Sequence, residues 1–149
     1  MLVISSPDVP ATLKRGMEAF QCGDALGVSS IFDTRATLSA QIDPKLARRL
    51  GIADPRQPVV ANNAVDILHL YAMEFEKFEV TYFEVISAMR VGRDVAAVCE
   101  WAVRFKTTGD EVLNRCNNIW TFDQTGRKIV AARSVCKVLT PGAWMVPMN

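Results

Sequence analysis

The second half of the chain constrains the fold most strongly, because it has the pattern of four strands joined by three short connections. Each connection contains a glycine: Gly92, Gly109 or Gly126. Glycine readily adopts the positive φ angles of tight hairpin turns, so the pattern predicts one antiparallel meander. The predicted strands are Phe78–Val91, Asp94–Phe105, Val112–Phe122 and Lys128–Leu139. A single sheet of this kind, preceded by helices, usually curls around a pocket.

The first half has apolar side chains at the spacing that indicates helices. The predicted helices are residues 11–22, Ala25–Phe32, Pro44–Leu50 and Ala64–Phe75, and alternation over Ala36–Ile42 predicts a short strand. No linker, repeat or low-complexity run divides the 149 residues, so we expect one domain over residues 1–149. The expected class is α+β: a curved antiparallel sheet with three to four helices packed on its concave face, a cystatin-like cone.

Charge and hydropathy exclude several classes of partner. The formal net charge is +1, which gives no strong field and argues against nucleic acid as a partner. No apolar stretch approaches the ~20 residues of a membrane span. The first residues lack the basic and apolar regions of a secretory signal. We therefore expect a cytoplasmic protein that binds neither nucleic acid nor membrane.

The four cysteines are Cys22, Cys99, Cys116 and Cys136, and none of them forms a CxxC pair. In a reducing compartment such residues behave as small buried hydrophobes, so we expect structural thiols. A zinc site that combined them with His69, the single histidine, would need a ligand spacing that the chain lacks. The sequence predicts neither a metal nor a cofactor.

Side chains alternate across a strand, so each predicted strand can be divided into two faces. The apolar face carries Cys99 and Trp101 together with Asn118 and Ser134, and we expect the helices to cover it. The opposite face carries several charges, which would be expensive to bury unpaired and must be wet or paired at a subunit contact.

Pairing outward from the turns gives a provisional register for these strands. It predicts Cys99 near Asn118, Trp101 near Cys116, Val85 opposite Trp101 and Cys116 opposite Ser134. On the charged face it predicts a ladder of side chains across three strands, formed by Glu100, Asn117 and Arg133. A β-bulge would shift these matches.

Three segments carry a resemblance to a known superfamily: residues 20–24, 31–38 and 119–130, the last with the sequence Ile-Trp-Thr-Phe-Asp-Gln-Thr-Gly-Arg-Lys-Ile-Val. Together with the order of helices and strands, they resemble the nuclear transport factor 2-like superfamily. Within it, the polyketide-cyclase-like and ketosteroid-isomerase-like branch is most similar. The resemblance implies a conical α+β fold with a deep pocket and, commonly, a homodimer.

The catalytic residues of that branch are mostly absent here. The resemblance places the isomerase base at Ala40, its oxyanion-holding tyrosine at Gly16 and its second oxyanion donor at Asn118. The water-activating acid of related epoxide hydrolases falls at Ser134, and their water-positioning residues fall at Leu38 and Ala40. Only Asn118 and Ser134 keep a polar group, and neither can act as a base near neutral pH.

Two hypotheses about function follow, from different classes. The first is a protein that binds a small hydrophobic molecule in a largely apolar pocket of a few hundred Å³. The second is an isomerase, cyclase or dehydratase that acts on a small hydrophobic carbonyl compound through a relocated base. The predicted pocket residues are Leu38, Tyr71, Val85, Trp101, Asn118 and Ser134. The candidate bases are His69 and Asp33, ahead of Asp43 and Tyr71.

Association is a third expectation. The charged sheet face is predicted to form a homodimer or to contact a partner protein. The C-terminal tail around Trp144 is expected to fold over the pocket mouth or to reach a partner subunit.

Overall fold

The computed structural model describes residues 1–4 and 6–140. The strands are β1 Leu2–Ile4, β2 Phe32–Gln41, β3 Val59–Ala61, β4 Phe78–Val91, β5 Asp94–Phe105, β6 Glu111–Phe122 and β7 Ile129–Thr140. The helices are α1 Ala11–Cys22, α2 Ala25–Ser29, α3 Pro44–Arg49 and α4 Ala64–Lys77. These described strands form one curved, open sheet in the order β1-β4-β5-β6-β7-β2-β3, so the class is α+β as predicted.

The predicted meander is confirmed. Strands β4, β5, β6 and β7 are consecutive antiparallel neighbours. The three turn glycines have φ values of 59° (Gly92), 75° (Gly109) and 72° (Gly126), in the left-handed region that side chains disfavour. A substitution at these positions would strain the turns that fix the hairpins.

The sheet is mixed rather than purely antiparallel. Strand β1 pairs parallel with β4, and β2 pairs parallel with β7. The sequence did not predict β1 or β3, because three residues are too few to show a period of two. Helix α2 is also shorter than predicted: the Ile31 carbonyl already accepts a hydrogen bond from the Ile129 N–H, so Phe32 begins a strand instead.

The register differs from the predicted one by two residues. Val85 lies opposite Cys99 rather than Trp101, and Cys99 lies opposite Cys116 rather than Asn118. Bulges in β4 cause part of the shift. The β5–β6 connection sets the pairing of Cys99, because it closes with the Phe105 N–H bonded to the Asp110 carbonyl. The β6–β7 pair has its own irregularity at Thr121 and Phe122. A shift of two leaves Cys99, Asn118 and Ser134 on their predicted face, whereas the second bulge in β4 turns Ser87 from the predicted apolar face to the outer one.

The helices cover the apolar face of the sheet. Phe20 of α1 lies at the centre of an aromatic cluster that joins α1, α4, β4 and β5, with ring centroids 5.5–5.9 Å apart. Its ring neighbours are Tyr71, Phe75, Phe83 and Trp101. Among the described residues, none of the helices has the length and apolarity of a membrane span. Trp144 lies outside the described residues.

Candidate functional site

A cavity of about 130 Å³ lies between the helices and the concave face of the sheet. It is smaller than the few hundred Å³ expected, because aromatic side chains of α1, α4 and β5 fill much of the space. Most of its wall is apolar, including Met17, Phe20, Ile31, Leu38, Phe83 and Trp101. Polar side chains reach it from two opposite directions, from helix α4 and from strands β6 and β7.

The structure brings five of the six predicted pocket residues to this cavity: Leu38, Tyr71, Trp101, Asn118 and Ser134. Val85 does not line it. Val85 is fully buried where β1 pairs with β4, and it packs into the core instead. A role of the five residues in binding a ligand stays a prediction.

The positions that the resemblance assigns to catalysis also surround the cavity. Gly16, Ala40, Asn118 and Ser134 all line it. At Gly16, a Cβ atom would lie 2.3 Å from Cδ1 of Ile31, so the isoleucine occupies the space that a side chain would need. Of these four positions, Gly16 and Ala40 have no polar side-chain group, whereas Asn118 and Ser134 do.

Of the four candidate bases, the structure brings Tyr71 to the cavity but not His69, Asp33 or Asp43. His69 is exposed on α4, and Asp33 accepts a hydrogen bond from the Arg35 N–H at the start of β2. Asp43 caps α3 and accepts from the Val138 N–H at 2.8 Å, which is a structural role. None of these three side chains lines the cavity. Among the described residues, no three metal-ligating side chains converge on one point.

Glu74 is the acidic side chain that sequence reasoning missed. It lies on α4, is 8% exposed and lines the cavity. In the described part of the chain, no group hydrogen-bonds its carboxyl. Burial raises the pKa of Glu74 to about 8, because a carboxylate is poorly solvated among apolar side chains. The signal was its spacing: Glu74 lies three residues after Tyr71 and seven after Ile67, on the buried stripe of the helix.

Tyr71 lies beside Glu74 on the same wall. Burial raises the pKa of its phenol, and the negative charge of an ionised Glu74 raises it further. The hydroxyl therefore stays protonated and can donate a hydrogen bond. Helix α4 thus presents one neutral donor and one acid to a largely apolar space.

The sheet wall carries weaker polar groups. Asn118 Nδ2 donates to the Cys116 carbonyl at 3.4 Å, and the same side chain hydrogen-bonds Cys99. Burial raises the pKa of the Cys99 thiol to about 12, so it stays protonated. Ser134 lies directly opposite Asn118 on β7.

The expectation that all four cysteines are thiols is wrong for two of them, because Cys116 and Cys136 form a disulfide. The shifted register places them directly opposite each other on β6 and β7, with Cα atoms 4.1 Å apart. Both line the cavity. Cys22 and Cys99 are free. The predicted register paired Cys116 with Ser134, and a difference of two residues decided whether the bond could form.

The predicted charge ladder on the outer face is replaced by ion pairs. Glu100 lies opposite Arg115, with Oε1 2.5 Å from Nη2, and Asn117 lies between Val98 and Val135. Glu100 points away from the cavity wall, as predicted. Arg133 is exposed and borders both the cavity and a groove on the outer face.

Comparison with known proteins agrees with the fold and gives no closer assignment. No protein family model matches the sequence, and no curated protein matches it. Solved structures do match. A proposed isomerase from Rhodopseudomonas palustris has a TM-score of 0.69 at 11% identity, with 87% of this chain and 91% of that chain covered. A proposed isomerase from Bacillus subtilis has a TM-score of 0.67 at 16% identity, with coverage of 85% and 84%.

A third match is a protein of ketosteroid isomerase-like fold from Catenulispora acidiphila, in complex with trimethylamine. Its TM-score is 0.66 at 10% identity, and 85% of each chain is covered. At these identities the similarity establishes the fold alone. The chain has the nuclear transport factor 2-like fold in its ketosteroid isomerase-like form, which confirms the fold implied by the resemblance.

Proposed function

We propose that this protein binds a small, mostly apolar molecule in the cavity, and that Glu74 meets the one polar group of that molecule. The observation that carries the proposal is the Glu74 carboxyl: its residue is only 8% exposed, lines a mostly apolar cavity and makes no side-chain hydrogen bond to the described residues. A buried polar group without a partner costs roughly 1–3 kcal/mol, so such a group at a ligand cavity favours a ligand as its partner.

The size of the cavity limits the ligand. Its volume, about 130 Å³, is close to that of an engineered apolar cavity of roughly 150 Å³ that holds benzene. The expected ligand therefore has about the bulk of a single ring, with one alcohol, carbonyl or amine group. The trimethylamine bound by the relative from Catenulispora acidiphila is of this size class.

An enzyme is the second candidate, because the pKa of Glu74 suits proton transfer near neutral pH. In an isomerase, cyclase or dehydratase, the Glu74 carboxylate would remove a proton next to a carbonyl group. The Tyr71 hydroxyl and the Asn118 amide would supply hydrogen bonds to the oxygen as it gains charge. In this proposal the chemistry has moved to helix α4, away from the strand positions of related enzymes.

The test is ligand binding by the wild type and by Glu74→Gln, with Glu76→Gln as the control because Glu76 is exposed on the same helix. Calorimetry is expected to detect binding of at least one of three probes, trimethylamine, cyclohexanone and phenol, to the wild-type protein. Glu74→Gln is expected to weaken binding of that ligand by about tenfold or more, since a charge-assisted or strong hydrogen bond is lost. Equal affinities of the two variants would contradict the role of Glu74.

The enzyme candidate has its own measurement in the same samples. Exchange of the α-protons of cyclohexanone with deuterated solvent, followed by NMR, is expected to speed up as pH rises towards about 8, because Glu74 ionises there. Glu74→Gln is expected to abolish the exchange. Binding without exchange would reject the enzyme and leave the binding protein.

For the quaternary structure, we propose a homodimer formed through the outer face of the sheet. This face exposes large apolar side chains in neighbouring positions: Val60, Met89, Ile119 and Val135. A groove on the same face is lined by Ile119 and Val60 and also by Asp94 and Arg133, which carry opposite charges. A two-fold contact can set the acid of one subunit against the arginine of the other, so the face complements itself.

Ile119→Lys is expected to convert the dimer to a monomer, because it places a charge at the centre of this contact. Val65→Lys is the control, since Val65 is 59% exposed on α4, away from the sheet face. Analytical ultracentrifugation over a range of concentrations measures the result. A monomeric wild type, or a dimer unaffected by Ile119→Lys, would contradict the proposal.

The cytoplasmic location expected from the sequence stays a prediction.

A further inference from the structure

A row of three cysteines crosses the floor of the cavity. Cys99 on β5 lies directly opposite Cys116 on β6, which lies directly opposite Cys136 on β7. All three line the cavity, and the second and third form the disulfide. We propose that this disulfide is a redox-active site that exchanges with small thiols entering the cavity. This proposal does not depend on the ligand proposed above.

Each sulfur of the disulfide has a polar neighbour. Trp101 Nε1 donates to Cys116 Sγ at 3.0 Å, and Ser134 Oγ lies 3.3 Å from Cys136 Sγ. A hydrogen bond to sulfur is stronger when the sulfur is a thiolate than when it is bonded, because the thiolate is charged. The two donors therefore stabilise both thiolates that reduction would produce.

The exchange has two steps. A thiolate RS⁻ attacks Cys136 Sγ, which is part of a half-buried residue, while Cys116 is only 2% exposed. The R–S–Sγ bond to Cys136 forms, the disulfide bond breaks, and its electron pair leaves on Cys116 Sγ, where Trp101 donates. A second RS⁻ attacks the sulfur of the first thiol, releases RS–SR and leaves the electron pair on Cys136 Sγ. Two protons from solvent complete the dithiol: the protein gains two electrons and the two thiols are oxidised to one disulfide.

Cys99 does not compete in this reaction. It lies beside Cys116 in the row, but it is fully buried and its thiol stays protonated, so it is a poor nucleophile. Attack must therefore come from a molecule in the cavity. A cavity of about 130 Å³ can hold a thiol the size of 2-mercaptoethanol but not the whole of glutathione, so we expect glutathione to react more slowly.

The first experiment counts thiols and compares reductants. In protein purified without reductant and then denatured, alkylation and mass spectrometry are expected to label Cys22 and Cys99 only. The rate of disulfide reduction by 2-mercaptoethanol is then divided by the rate for glutathione at equal thiolate concentration, once in native and once in urea-unfolded protein. This ratio is expected to be at least about tenfold larger in the native protein. Labelling of all four cysteines before reduction, or equal ratios in the two states, would overturn the proposal.

Variants test the entry route and the donor. Ala40→Leu narrows the cavity and is expected to slow reduction by about tenfold, whereas Ser39→Leu, on the opposite face of β2, is expected to leave the rate unchanged. Trp101→Phe is expected to slow it by about tenfold through loss of the indole donor, and Trp120→Phe, also at the cavity, is the matched control. Equal rates for Ala40→Leu and Ser39→Leu would overturn the entry route through the cavity, and equal rates for Trp101→Phe and Trp120→Phe would overturn the role of the indole donor. If a variant does not fold, the comparison of the two thiols in the wild type still tests the proposal.

Discussion

Replacing Glu74 by glutamine is expected to make the stability of the protein much less sensitive to alkaline pH. The pKa of Glu74 is about 8 in the folded state and about 4.5 in the unfolded chain. A group whose pKa is raised on folding contributes its full stability below the unfolded pKa and loses it as pH rises through the folded pKa. The wild type should therefore lose about 3–5 kcal/mol of unfolding free energy between pH 4.5 and pH 9 through this one residue.

The matched comparison isolates this effect. Glutamine has nearly the same shape as glutamic acid and cannot ionise, so its own burial cost does not change with pH. Urea denaturation at several pH values should give a difference between wild type and Glu74→Gln that grows steadily from pH 4.5 to about pH 8 and then levels off. Glu76→Gln, on the exposed side of α4, should follow the wild type. Parallel curves for wild type and Glu74→Gln would show that the carboxyl is not held in an apolar environment.

Replacing Arg49 by methionine is expected to lower the unfolding free energy by about 3 kcal/mol. Arg49 joins α3 to the β5–β6 connection through two hydrogen bonds to Asp110, at 2.5 and 2.9 Å, and one to Thr108. Its guanidinium also lies 3.9 Å from the ring centroid of Phe105. The Asp110 side chain is only 6% exposed, so removal of the arginine leaves a shielded carboxylate without its cation.

Arg48→Met is the control, because Arg48 is exposed on the same helix. The penalty should also depend on acidity. The Arg49 guanidinium lowers the pKa of Asp110, so the stability that the pair contributes is present above the unfolded pKa of about 3.9 and is lost as pH falls through the folded pKa. Thermal unfolding from pH 7 down to pH 2 should show the difference between Arg49→Met and wild type shrinking in acid. A penalty equal to that of Arg48→Met at neutral pH would contradict the structural role.

The sequence was a good guide wherever a local signal decided the structure. The turn glycines defined the meander, and alternation assigned Trp101 and Asn118 to the covered face. The register was predicted less well, because a slip of two residues leaves alternation unchanged and cannot be detected by it. That slip decided which cysteines met: Cys116 bonds Cys136, where the predicted pairing gave Ser134.

The candidate site was predicted only in part, because the orientation of a helix, like the register of a strand, leaves no local signal in the sequence. A charged residue on a helix is usually exposed, so Glu74 was not among the candidate bases, which were His69, Asp33, Asp43 and Tyr71. Only the packing of α4 against the sheet shows that Glu74 faces the cavity and His69 faces solvent. The two residues are five positions apart on one helix, a rotation of about 140°, so the orientation of the helix decides which of them meets a ligand.

The amino-acid sequence by itself determined the meander, the helices that precede it and the face of the sheet that they cover, because turn chemistry and the period of apolar residues are local properties. Only the tertiary structure decided the register, the disulfide, the volume of the cavity and the acid that lines it. These depend on which distant segments come into contact, and bulges, turn closure and helix orientation set those contacts without leaving a periodic signal in the chain.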